Sequence, residues 1–500
     1  MDERPEGPSR RAWLGIDVGT QSVRALVVGE RGAVLGAGSA ALTSRRGPDG
    51  RHEQDPESWW DALAVATREA LGQAGSPALA AMACCATSGT VLLVEQDGDD
   101  PARPLTPGLM YDDGRAVAQA RLVREQTVPA WQAAGLLPQR SWALPKAMWL
   151  LRSGTRPGAR LAHQSDFITS RLIGTPSATD TSHALKTGVD PVRAQWPVDA
   201  LAALGLAVER LPDVVRPGTL LGRVCPTAEE RTGIPAGVPV VAGMTDGCAA
   251  QLAAGVLDPG RWSFVVGTTT VLKGVTETVL RDPTGVLYSH RSPDGYWWPG
   301  GASSTGAGLL TREFDSSAFA RLERLAAERE PADCVTYPLT EVGERFPFHH
   351  PEASRVTLGT PRDDADWFAA ILQGVAFAQR LSLDHVRGLG AEVSDEVTVA
   401  GGATRSAYWT QLQADILGRA VVVPRTAEGA VGMAVLAASA TAGDLRSAAA
   451  RMVGIARVHQ PRQQNTRRFA EPYARLVTEL AKRGWIGDEL LATALAGTAS

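Results

Sequence analysis

The chain has 500 residues, with 50 Lys+Arg against 54 Asp+Glu and a formal net charge of −4, so it lacks the basic excess that neutralises nucleic-acid phosphates. At 44% apolar and 21% charged its composition is that of an ordinary globular protein, which excludes wholesale disorder and leaves room for two or three domains with their own cores. Its five cysteines, Cys84, Cys85, Cys225, Cys248 and Cys334, make neither a disulfide framework nor a CxxC pair, which points to a cytoplasmic protein without structural zinc.

In chain order, residues 1–11 are polar, charged and Pro-bearing, without the apolar core of a secretory signal, and read as a disordered lead-in. From Ala12 to Leu35, apolar stretches alternate with a Gly-Thr break and a Glu-Arg-Gly turn, the pattern of strands joined by hairpins. A helix is expected over Pro56–Leu71, with Asp55 as its N-cap and Pro56 in the first helical position. Strands follow at Ala80–Ala86 and Thr90–Glu95, and broken helical patterns fill most of Gly114–Leu211. A second sheet-rich unit opens with VPVVAG from Val238 and continues with WSFVVGTTTVLKGV from Trp262. It alternates with helices over Asp246–Ala254, Asp364–Leu389, Thr404–Leu417 and Gly429–Ala442. The domain boundary is placed near Gly243, giving domains at 12–243 and 244–485 and a tail at 486–500. The apolar stretch Ala430–Gly443 is shorter than the roughly 20 residues a membrane helix needs, so no membrane is expected.

Asp17-Val18-Gly19-Thr20-Gln21-Ser22-Val23 is echoed half a chain later by Val265-Val266-Gly267-Thr268-Thr269-Thr270-Val271. Both read as a strand, a Gly-Thr turn and a returning strand, either a duplicated unit or two coincident hairpins. Such turns present backbone N–H groups and hydroxyls to one concavity, which suits phosphate where no P-loop exists. The dipeptide Gly-Lys is absent from the chain, so there is no Walker A loop. Asp17 ends the first strand, where a carboxylate suits hydrated Mg²⁺. Arg24 emerges on the returning strand, as a cation for the transferring group or as a solvated strand charge. Asp246, in MTDG, lies where an apolar strand ends and a helix begins. It is either a helix cap or a base that takes a hydroxyl proton during phosphoryl transfer. Gly401-Gly402 after the strand Val399–Ala400 permits close backbone approach to a ligand, or makes a tight strand-to-helix connection. His349-His350 lacks neighbouring ligands and reads as surface.

Taken together, DVGT at Asp17, HEQDPESWW at His52, MTDG at Met244, VVGTTT at Val265 and AGGATRSAYWTQLQADILG at Ala400 resemble the FGGY carbohydrate kinases, in order from about residue 12 to 445. The resemblance implies an α/β fold of two actin-like (RNase H-like) ATPase domains with an active-site cleft between them, ATP and Mg²⁺ as cofactors and a small sugar as substrate. It implies Asp246 as catalytic base, with Asp17, Gly19, Thr20, Ser22 and Arg24 on the phosphate and magnesium side. Gly267, Thr268 and Thr269 would form the second phosphate hairpin. Gly401, Gly402 and Ser406 would line the adenosine site, although many relatives carry Asn where Ser406 stands.

Xylulokinases tend to have Met-His-Gly after the strand that here reads Ala83-Cys84-Cys85-Ala86, whereas this chain continues Thr87-Ser88-Gly89-Thr90. With HALK at His183, TGVLYSH at Thr284, GYWWPGGAS at Gly295 and GERFPF at Gly343, it resembles the D-ribulose kinase branch. That branch implies Ser88 as a sugar-hydroxyl ligand beside Asp246 and phosphorylation of D-ribulose to D-ribulose 5-phosphate. The alternatives are a D-xylulokinase, whose substrate differs at one carbon, and an actin-like ATPase that binds a protein partner. Whether the chain forms a homodimer is left open.

Overall fold

The structure, a computed structural model, describes residues 11–97, 100–152 and 156–498, so all but the last residue of the expected lead-in lies outside it. Two compact units divide the chain. One comprises residues up to Gly255 with His290–Gly295 and Thr426–Gly454. The other comprises Val256–Ser289, Tyr296–Arg425 and the residues from Ile455 on. The division falls after the helix Asp246–Ala253 rather than near Gly243, and the helix Gly429–Ala442 joins the N-terminal unit. Close backbone approach explains both departures. A Cβ on Gly243 would stand 1.8 Å from the Cys84 carbonyl oxygen, and one on Gly432 2.0 Å from that of Ala249.

The main sheet of the first unit runs, edge to edge, Leu220–Arg223, Pro239–Val241, Leu79–Ala86, Ala12–Val18, Ser22–Gly29, Val34–Ala41. The last three strands form an antiparallel meander. Leu79–Ala86 is parallel to Ala12–Val18, Pro239–Val241 is parallel to Leu79–Ala86, and the edge strand is antiparallel. In the second sheet, Trp297–Ser303, Thr270–Gly274 and Trp262–Val266 are likewise antiparallel neighbours, but an extra strand, Tyr288–Arg291, comes between the first two in the chain and lies outside Trp297–Ser303. Glu396–Ala400 and Ala420–Pro424 follow in parallel, and Ile455–His459 closes the edge antiparallel. The echo between the two Gly-Thr segments is therefore a duplicated sheet. The outer edge differs in connection: Leu220–Arg223 precedes its neighbour in the chain, whereas Ile455–His459 follows its own.

Side chains alternate across a strand, so cross-strand register assigns faces. Ile16, Ala25 and Gly38 share one face, on which the helix Pro56–Gln73 lies so close that a Cβ on Gly38 would stand 2.0 Å from the Ala66 carbonyl. Gly15 and Asp17 share the other face, where a Cβ on Gly15 would stand 1.7 Å from the Ala430 carbonyl. Covered on both faces, Ala12–Val18 reads as a nearly continuous apolar run. The helix Pro56–Gln73 begins as expected, with Asp55 accepting from the Glu57 N–H and Pro56 following the cap. In the second unit, the helix Asp364–Gly388 buries most of its length, and a 3₁₀ turn Gly402–Arg405 precedes the helix Ala407–Leu417. The expected tail contains the helix Asp488–Ala496, and the Gly497 carbonyl accepts from Arg380 at 2.7 Å, so this segment belongs to the second unit. Among the described residues, no helix is long and apolar enough to cross a membrane.

Candidate active site

Asp17 sits at the end of its strand, on the face shared with Gly15. Its register partners are Arg24 across the hairpin and Cys85 on the parallel neighbour. The Cys85 thiol donates to Asp17 Oδ1 at 3.4 Å, and the helix Gly429–Ala442 begins beside Oδ2, only 3.1 Å from where a Cβ on Gly429 would stand. Burial raises the Asp17 pKa from 3.8 to about 6. The nearby Asp246 charge pushes the same way and Glu428 adds to it, while Cys85 and Arg24 oppose. Asp17 and Asp246 therefore share one electrostatic environment.

The turn after Asp17 is closed by the Gly19 N–H donating to the Ser22 carbonyl at 3.0 Å. Buried Gln54 ties this turn to the helix behind it: its Nε2 donates to the Thr20 carbonyl at 2.7 Å, and its Oε1 accepts from Trp59 Nε1 at 2.7 Å. That link gives the segment HEQDPESWW a physical role. Arg24 is exposed on the returning strand.

Asp246 is the first residue of its helix, but Thr245 holds the cap position. The exposed Asp246 carboxylate accepts from the adjacent Gly247 N–H at 2.7 Å, so the helix-cap reading is not what the structure shows. Thr245 bridges in parallel to Ala86, the last residue of the strand that leads to Ser88. These neighbouring parallel strands therefore both end at the same carboxyl-terminal side of one sheet. Ser88 Oγ is buried and has no hydrogen-bond partner, and the Ser88 carbonyl accepts from Lys186 Nζ at 3.3 Å. A buried hydroxyl without a partner calls for an explanation outside the chain itself.

In the second unit, the Gly267 N–H donates to the Thr269 carbonyl at 2.9 Å, leaving Thr268 and Thr269 exposed. The residues after Trp297–Ser303 brace this turn, with the Ala307 N–H donating to the Gly267 carbonyl at 2.7 Å and the Gly308 N–H to that of Thr268 at 3.1 Å. That segment is held in turn by buried Glu344, which accepts from Ser303 Oγ, the Ser304 N–H and the Tyr337 hydroxyl. Gly401 has φ +90°, and a Cβ there would stand 2.6 Å from the Val266 carbonyl, so the glycine pair lies against the strand that leads into the turn. Ser406 Oγ accepts from the Trp409 N–H at 2.9 Å and is engaged as a helix cap.

The first unit thus brings together Asp17, Gly19, Thr20, Ser22, Arg24, Ser88 and Asp246. The second brings together Gly267, Thr268, Thr269, Gly401 and Gly402. Asp246 lies in the first unit, not in the C-terminal domain to which the expected boundary assigned it. The sequence reading missed Asp180 and Ser182, which underlie the Ala86–Thr245 bridge, although an Asp two residues before a Ser at a helix start is a cap signature.

The comparison with known families divides the chain near the same point, although its second match runs through residues 426–441, which belong to the first unit. Residues 12–253 match the N-terminal domain of the FGGY family of carbohydrate kinases, and residues 262–441 match its C-terminal domain. The chain belongs to the FGGY family of carbohydrate kinases. This FGGY kinase is 33% identical over 460 residues to a xylulose kinase of Streptomyces rubiginosus, covering 89% of this chain and 91% of that protein. It is 26% identical over 519 residues to an autoinducer-2 kinase of Klebsiella pneumoniae subsp. pneumoniae, covering 96% of each. A xylulose kinase structure from Rhodospirillum rubrum superposes with a TM-score of 0.82 at 26% identity, over 94% of this chain and 99% of that one. The two-domain α/β architecture expected from the sequence is therefore the family fold.

Proposed function

We propose that this FGGY kinase transfers the γ-phosphoryl group of ATP to the terminal hydroxyl of D-ribulose, giving D-ribulose 5-phosphate and ADP, as a cytoplasmic enzyme. The observation that carries the reading is the parallel Ala86–Thr245 bridge, which brings Ser88 and Asp246 out at the carboxyl ends of neighbouring strands. Asp246 is exposed to receive a hydroxyl proton, and Ser88 carries an unsatisfied hydroxyl where a sugar would supply the missing hydrogen bond. The sugar oxygen attacks the γ-phosphorus, the bond to the bridging oxygen of ADP breaks, and the proton passes to the Asp246 carboxylate. Gly19, Thr20, Ser22 and Arg24 in the first unit and Gly267, Thr268 and Thr269 in the second present turn amides, hydroxyls and a guanidinium to phosphate oxygens. Gly401 and Gly402 allow the backbone to approach the adenosine, and Ser406 lends its remaining O–H.

The donor set suits Mg²⁺. Asp17 is a carboxylate beside a second carboxylate, Asp246, and carboxylate oxygens are the donors this ion takes. Asp17 would hold Mg²⁺ through water, and the ion when bound offsets phosphate charge.

Thr87-Ser88-Gly89, which follows the strand where xylulokinases tend to have Met-His-Gly, favours D-ribulose. The identity to the Streptomyces rubiginosus xylulose kinase favours D-xylulose as a second reading. Comparing kcat/KM on the two pentuloses separates them: a higher value on D-ribulose supports the assignment, and a higher value on D-xylulose reverses it.

A further inference from the structure

One buried carboxylate reaches both strand exits at the proposed site. Asp180 Oδ1 accepts from the Ser182 N–H at 2.8 Å, the Ser182 hydroxyl at 2.5 Å and the His183 N–H at 3.2 Å. Asp180 Oδ2 accepts from His183 Nδ1. Each arm continues to a different strand. Ser182 Oγ accepts from the Thr245 N–H at 2.9 Å, one residue before Asp246. His183 Nε2 donates to the Ala86 carbonyl at 3.3 Å, two residues before Ser88. Asp180 is 3% exposed and Ser182 and His183 are fully buried, so no water competes for these bonds.

We propose that Asp180, acting through Ser182 and His183, is a positioning residue that sets the Asp246 carboxylate against the sugar site at Ser88. The inference deepens the sugar-kinase reading and rests on it for what Asp246 does. The network is built as an ion pair. Burial disfavours charge on both partners, yet the Asp180 carboxylate raises the His183 pKa and the imidazolium with its hydrogen bonds lowers that of Asp180. With both ring nitrogens protonated, His183 donates to Asp180 and to Ala86 at once, which a neutral ring cannot do. The Asp180 carboxylate bonds both arms, and the Ala86–Thr245 bridge joins the segments they reach. A ligand-free reason to bury such a pair is weak, because a buried ion pair adds little net stability over an apolar replacement. Fixing the spacing of two reactive segments is a use that accounts for it.

Catalysis by proton transfer tolerates little misplacement, and a shift of about 1 Å costs on the order of 100-fold. Ser182→Ala removes the acceptor of the Thr245 N–H while deleting a single buried atom, and Asp180→Asn removes the charge while keeping the shape. Both are compared with the unsubstituted enzyme in melting temperature, backbone amide exchange and kinetics with ATP and D-ribulose. The expected result is faster exchange at Thr245, a kcat lower by roughly 10- to 100-fold and an unchanged KM for ATP, in proteins that melt within a few degrees of the original. Unchanged Thr245 exchange and unchanged kcat in the folded Ser182→Ala protein would overturn the inference. So would a kcat loss matched by an equal rise in KM for ATP, which marks general loosening. The sugar-kinase reading fails differently: the unsubstituted protein then turns over no pentulose, while exchange at Thr245 still decides whether the relay holds that segment.

Discussion

Ala86 and Thr245 form a parallel bridge, which puts the segment carrying Ser88 and the helix start carrying Asp246 side by side at the carboxyl ends of neighbouring strands of the first sheet. Asp246 is exposed and Thr245 holds the cap position, so the helix keeps its N-terminal geometry when the carboxylate is replaced. Asp246→Asn is expected to lower sugar phosphorylation by roughly 10²- to 10⁴-fold with nucleotide affinity retained. Steady-state kinetics alongside equilibrium ATP binding check this, and undiminished turnover would leave Asp246 without a chemical role.

Asp17 predicts a pH effect on stability. Its folded-state pKa of about 6 lies above the ordinary 3.8, so between those values the folded protein holds a proton that the unfolded chain releases. By linkage, stability falls as pH rises from about 4 to about 6 and stays lower above that window. Asp17→Asn removes this loss. The variant should melt at a higher temperature than the original at pH 7 and at nearly the same temperature at pH 4, while losing phosphoryl transfer. Melting curves across this range test it, and equal melting at pH 7 refutes it.

Thr268 is exposed in a turn whose backbone is braced through Gly267 and Thr268 by Ala307 and Gly308, so removing its hydroxyl leaves the turn intact. Thr268→Val should weaken ATP binding by roughly 10-fold, the worth of one hydrogen bond to a charged oxygen. Calorimetric titration measures this, and an unchanged affinity counts against the second hairpin as a phosphate site.

Gly15→Ala should destabilise the first unit by about 3 kcal/mol, the upper part of the usual overpacking range, because the obstacle 1.7 Å away is the Ala430 backbone and not a side chain that can rotate. Urea denaturation gives the value, and a loss under about 1 kcal/mol would show that the helix can move aside.

Much of this was legible in the sequence because the signals are local. Asp55-Pro56 announces a helix start by cap chemistry, and the two Gly-Thr segments announce two hairpins by alternation around a turn. The helix Gly429–Ala442 was legible as a helix but not as a member of the first unit. It carries no directional apolar face, and the close approaches at Gly15, Gly429 and Gly432 say where it lies. The boundary near Gly243 failed for the same reason, since the strand and helix flanking it pack into one unit. The role of Asp180 stayed hidden because the ends of its two arms, Thr245 on Ser182 and Ala86 on His183, lie far away in the chain. The repeat also breaks where chemistry is expected: Asp17 of the first hairpin corresponds to Val265 of the second, so the duplicated turn is shared but the carboxylate is not.

Phosphoryl transfer from ATP to D-ribulose is the reaction on which the site's assignment stands. ADP release by the unsubstituted enzyme, measured with Mg²⁺ against a panel of pentuloses and polyols, tests it most directly. The expected result is the highest kcat/KM with D-ribulose and a product phosphorylated on its terminal carbon. No stimulation by any sugar on the panel would contradict it.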